Sequence, residues 1–133
     1  MNLKLSNSTK ILLSLVCFGI AIIGFMWKLP SIFRHHDKQM HALFYFIAAG
    51  FLNYLFAKQN LLRHFLIFVF LVFFGVVIEY AQSYSNRFFH TRIHGRFDIE
   101  DVEYNVKGLI AYSMLWTTYT GLLLATAKKG SKI

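Results

Sequence analysis

The sequence predicts an all-α protein, an integral membrane bundle of four transmembrane helices, and three observations predict it. Of the 133 residues, 56% are hydrophobic and 18% aromatic, which is too apolar for a water-soluble domain of this length. The apolar residues gather in four long runs, with spans expected at 11–27, 40–57, 65–81 and 106–127, each close to what a hydrocarbon core of roughly 30 Å demands. Lys and Arg flank the runs, where they snorkel and meet anionic lipid. The formal charge of +8 therefore points to the membrane surface, and nucleic-acid binding is not expected. The whole chain, 1–133, reads as one domain.

The first span runs without charge from Ile11 to Trp27, between Lys10 and the pair Lys28 and Pro30. No small-x-small site closes it, so it reads as a helix and not as a cleaved leader. Cys17 lies within it; one cysteine forms no intramolecular disulfide, and it is expected as a small buried hydrophobe. The second span opens at Asp37, the expected N-cap, and Asp37, His41 and Tyr45 recur at i, i+4 and i+8 on one helical face. Lys58, Arg63 and His64 then read as a short basic loop that forces an antiparallel return.

In the third span Glu79 follows only fourteen uncharged residues, Phe65 to Ile78. Counted from Arg63 at ~1.5 Å per residue, it stands about 24 Å along the helix, inside a core of roughly 30 Å. A carboxylate there costs ~2.5 kcal/mol or more against lipid, so it is expected to face the bundle with a partner, and Gln82 at i+3 shares its face. The connection Ser83 to Arg96 is polar and aromatic, with Arg87, Arg92, His90 and His94. His90 and His94 have metal-ligand spacing only on a helix, and with His35 and His36 they read as solvated loop residues. Neither a metal nor another cofactor is expected.

The stretch Gly95 to Gly108 is the densest polar segment and leads into the fourth span. Asp98 reads as an N-cap, with Asp101 in the first turn at the positive end of the helix dipole. From there Asp101, Asn105 and Gly108 fall at i, i+4 and i+7 and should look into the protein. In the fourth span the Gly121 and Ala125 pair, like Ala48, Ala49 and Gly50 in the second, would allow close helix approach within or between chains. Oligomeric state is left open.

Four spans place both termini on one side. Lys and Arg divide seven to seven between the sides (4, 10, 58, 63, 128, 129, 132 against 28, 34, 38, 87, 92, 96, 107), while all six acids share the side opposite the termini. The unpaired positive charge on the termini side favours termini inside and the polar groups outside.

Helix packing would converge three polar segments at that outer face: Asp37, Lys38, His41 and Tyr45; Glu79 and Gln82; and Arg96, Asp98, Asp101 and Asn105. In D-K-x-x-H-x-x-x-Y at 37 to 45, E-x-x-Q at 79 to 82 and R-x-x-x-x-D-x-x-x-N-x-x-G at 96 to 108, the chain resembles the VanZ-like family. The resemblance covers about Lys28 to Tyr112. It implies a small multi-span bacterial membrane protein, related to one associated with resistance to the glycopeptide teicoplanin, with Asp37, Lys38, His41, Tyr45, Glu79, Gln82, Arg96, Asp101, Asn105 and Gly108 as its motif positions.

Three functional readings fit these residues. In the first, the pocket recognises a polar or anionic ligand among membrane lipids, such as a lipid-linked cell-envelope precursor or a lipoglycopeptide. Arg96 and Lys38 would meet phosphate or carboxylate, Asp101, Asn105 and Gln82 would set orientation, and Tyr45 with Phe-rich walls would hold the lipid portion. In the second, His41, Glu79 and Asp101 are candidates for acid/base or metal-assisted catalysis on a head group. In the third, the cluster is a structural polar plug with Asp37 and Asp98 as caps, Arg96 paired to Asp101 and Lys38 to Glu79. Alternating-access transport is the weakest fit, because four spans without duplicated halves leave it little room.

Overall fold

In the computed structural model, which describes residues 4–28, 30–90 and 94–131, every regular element is helical. Arg92 and Lys132 of the charge count lie outside the described residues. Helix α1 covers Asn7–Met26, α2 Asp37–Leu52, α3 Leu61–Phe88 and α4 Ile99–Gly130. A 3-10 turn, Ser31–His36, runs into α2, and a π-helical turn, Asn53–Ala57, continues from its end. With that turn and the 3-10 turn counted into the second, four helices are long and apolar enough to cross a membrane.

The helices outrun the apolar runs of the sequence. Backbone hydrogen bonding continues past the last apolar residue, so α3 carries on to Phe88 and α4 begins at Ile99. Capping marks the starts: Ser6 accepts from the Thr9 amide, Asn60 from that of Arg63, and Asp98 Oδ1 from that of Glu100 at 2.9 Å, each satisfying a donor the first turn leaves open.

Two expectations about helix ends are corrected. Asp37 is the first residue of α2 and not its cap, because the preceding 3-10 turn leaves no extended residue for a side chain to cap from. The turn after α2 closes at Asn60, so His64 is not a loop residue but a buried one on α3.

The core forms where α2 meets α3 and α4, around Tyr45, Ala48, Ala49, Leu52, Leu71 and Leu109. Helices α2 and α4 run parallel and share the largest interface. Gly108 makes it possible: a Cβ there would stand 2.9 Å from the Ala42 carbonyl carbon and 3.0 Å from its Cα, closer than any side chain tolerates. Backbone thus touches backbone, and polar groups on the two helices come within hydrogen-bonding reach.

Helix α1 buries no residue and joins the rest through aromatic edges. Phe18 meets Phe70 and Phe74 at ring separations of 5.8 and 5.0 Å, and Phe25 meets Phe44 at 4.8 Å. Cys17 lies on its outer face and is exposed, contrary to expectation, because α1 lines the edge of the bundle and not its centre. Gly121 and Ala125 also face outward on α4, with no neighbour within 4 Å of a Cβ added at Gly121. Among the exposed large residues, Leu, Ile, Val and Phe cover much of all four helices, an apolar surface far larger than water-soluble monomers present.

Candidate functional site

The start of α2, the end of α3 and the start of α4 meet at one end of the bundle, and α1 ends beside them. Between them opens a cavity of about 750 Å³, within the range of small-molecule sites. One wall is apolar, formed by Ala21, Gly24 and Phe25 of α1 with Met40 and Phe44 of α2; the floor is polar, formed by Asp37, His41, Glu79, Gln82 and Asp101. Lys28, Arg34 and Arg96 stand along the same lining, with His94, Gly95 and Asp98 of the connection.

His41 is the hinge of the polar floor. Its Nδ1 lies 2.9 Å from Asn105 Oδ1, both side chains buried; an amide oxygen only accepts, so Nδ1 is the donor, and in the neutral ring Nε2 is the nitrogen with the lone pair. Nε2 points toward Asp37 Oδ1 at 3.8 Å, beyond hydrogen-bond range. Asp101 is 8% exposed and Glu79 4%, and one oxygen of each, Oδ1 and Oε2, is buried without a hydrogen-bond partner. The other Glu79 oxygen accepts from the Asp98 amide at 2.8 Å, tying α3 to the start of α4. Gln82 donates to the Phe25 carbonyl at 2.7 Å and anchors the end of α1.

The helix-face arithmetic holds: Asp101, Asn105 and Gly108 are all buried, as are His41 and Tyr45, and Glu79 faces inward with a partner. The ion pairs of the plug reading do not form. Lys38 pairs with Glu100, and at 4.0 Å with Asp98, instead of Glu79, because it leaves α2 toward the first turn of α4 and not toward α3. Arg96 forms no salt bridge among the described residues; it lies in a bend ahead of α4 and is exposed on the cavity lining.

Seven of the ten expected ligand-binding residues line the cavity: Asp37, His41, Glu79, Gln82, Arg96, Asp98 and Asp101. Tyr45, Asn105 and Lys38 do not. Tyr45 is fully buried in the core with its hydroxyl unpartnered, Asn105 stands behind His41, and Lys38 lies outside; the apolar lining is made instead by α1 with Met40 and Phe44. No protein-family model, curated protein or solved structure significantly matches the chain.

His90 and His94 share no helix: α3 ends at Phe88, His90 has φ 51° in the turn that follows, and His94 lies in a bend. His94 instead straps the connection down. Its Nε2 donates to the Met26 carbonyl at 3.1 Å, while its backbone exchanges bonds with the Asn86 amide at 2.7 and 2.9 Å.

A second polar centre, unforeseen in the sequence, lies at the other end. His64 Nδ1 donates to Asn53 Oδ1 at 2.7 Å, its Nε2 accepts from the Ser113 hydroxyl at 3.0 Å, and its ring stacks on Trp116 at 4.1 Å and 4°. Asn53 Nδ2 in turn donates to the Ala49 carbonyl at 2.8 Å within the π-helical turn. The available signal was the helical register of His64 with the apolar residues after it, which the neighbouring Lys58 and Arg63 obscured.

Proposed function

We propose that the chain is a bacterial integral membrane protein of the VanZ-like type, whose cavity receives the polar or anionic head group of a lipid-linked cell-envelope ligand. The observation that carries this reading is the division of the cavity into an apolar wall and a polar floor at one end of four apolar helices. An amphiphile matches both: its acyl portion lies along α1 and α2 while its head group sits over His41, Glu79 and Gln82. Arg96 and Arg34 supply cations to a phosphate or carboxylate, with arginine offering a bidentate fork. With termini inside and cavity outside, the orientation that the unpaired positive charge of the termini side favours, the site would stand where envelope precursors and a lipoglycopeptide such as teicoplanin meet the membrane, and a role in glycopeptide resistance would follow.

The test is native mass spectrometry of protein extracted gently with its own lipids, comparing wild type with Arg96→Gln and Glu79→Gln. A discrete envelope lipid carried by wild type and lost from both variants is expected. Equal lipid profiles for all three folded proteins would refute the reading.

A further inference from the structure

We propose that Asp37, His41 and Asp101 form a binding site for a divalent transition-metal ion of the zinc class. The three offer one donor atom each, all within 4.8 Å of one another. Two carboxylates and an imidazole are the mixed oxygen and nitrogen set that zinc accepts, and three protein ligands leave a fourth position open to the cavity, as in sites where zinc activates a bound group.

Three independent features of the surroundings point to a cation. First, the hydrogen bond from His41 Nδ1 to Asn105 Oδ1 selects the tautomer whose Nε2 lone pair faces Asp37, which is how an outer residue orients a metal-binding histidine. Second, Asp101 Oδ1 is buried with no donor to satisfy it, and so is Glu79 Oε2 on the same floor; a cation would supply the partner these oxygens lack. Third, Lys38, the cation nearest in sequence, is engaged by Glu100 and Asp98 instead.

The spacing suits the ion after a small closure. Donors around a tetrahedral zinc stand about 3.4 Å apart for bonds of ~2.1 Å, and His41 Nε2 to Asp37 Oδ1 is already 3.8 Å. The side chain with freedom to close the rest is Asp37, 42% exposed on the first turn of α2, while His41 and Asp101 are held by burial. The site differs from the histidine-rich loops: it uses neither His35, His36, His90 nor His94.

The inference does not rest on the head-group reading, and its test needs no lipid ligand. Protein purified without a histidine tag, stripped with chelator and held in detergent is titrated with Zn²⁺ by calorimetry, and with Co²⁺ by visible absorption to report the ligand field. One ion per chain is expected, with affinity falling at least ~100-fold in His41→Ala and Asp101→Asn. Asn105→Ala, which removes only the orienting bond, should lose ~10–100-fold. The double variant His35→Gln, His36→Gln should bind as wild type. Absence of a stoichiometric ion in wild type, or binding that survives His41→Ala yet vanishes with His35 and His36, would overturn the site. Should a single variant fold poorly, the wild-type titration and the Co²⁺ spectrum, which must contain imidazole nitrogen, still decide it.

Discussion

The two ends of the bundle hold the same unit, a histidine whose Nδ1 bonds an asparagine oxygen, and treat it in opposite ways. At His64 everything is closed: Asn53 takes one nitrogen, Ser113 the other, and Trp116 covers the ring face. At His41 only the rear is closed, by Asn105. The front faces Asp37 across 3.8 Å, and carboxylate oxygens of Asp101 and Glu79 wait nearby without partners. A satisfied buried network holds helices together, whereas an unsatisfied one lowers stability unless something else completes it. The first centre is therefore the joint of the bundle and the second its site.

If that contrast is right, the largest stability loss comes from the closed end. His64→Ala removes two hydrogen bonds and a ring stack and orphans Asn53 Oδ1, so a loss of about 2–4 kcal/mol is expected, read as a lowered thermal midpoint in detergent. Ion and lipid binding at the opposite end should persist in whatever fraction stays folded. A loss under ~0.5 kcal/mol would remove His64 from its assigned role as the joint.

The open end should respond with the opposite sign. Asp101→Asn preserves shape and relieves the crowding of Asp101 with Asp37, Asp98 and Glu79, so in the presence of chelator it should stabilise by about 1 kcal/mol. Added Zn²⁺ should then raise the midpoint of wild type above that of the variant, because only a protein that binds the ion gains from it. Destabilisation of the chelated variant would make Asp101 a structural residue and the open end a second joint.

How far the sequence foretold this contrast depends on which physical signal each residue carried. Apolar runs and helical period located the four helices and placed Asp101, Asn105 and His41 on inward faces, because a charge or amide amid apolar residues has nowhere else to go. Gly108 falls on the same inward face, but the close helix approach expected at Gly121 and Ala125 is made instead by Gly108 on Ala42, because small size alone does not say which face meets a neighbour. What the period cannot report is which partner lies across the interface. Charge alone pairs Lys38 with Glu79, while three-dimensional direction gives it to Glu100. His64 was hidden because local composition, two basic neighbours, outweighed the register that buries it, and Cys17 because an apolar run does not say which of its faces is innermost.

Lys38 provides the smallest and most discriminating effect. It occupies the second position of the D-K-x-x-H pattern at 37 to 41, which under the proposed head-group reading would make it a ligand-binding residue. The geometry instead sets it outside the cavity lining, in an ion pair whose side chains are 34% and 61% exposed. Such pairs contribute about 0–1 kcal/mol, since water screens them and both side chains lose freedom. Lys38→Met should accordingly shift the thermal midpoint only slightly and leave both the co-purified lipid and the zinc affinity at wild-type levels. Loss of lipid with zinc binding intact would mean that Lys38 leaves Glu100 for an anionic head group once one arrives, making the pair a latch on the open end and carrying the asymmetry between the two ends into the binding event itself.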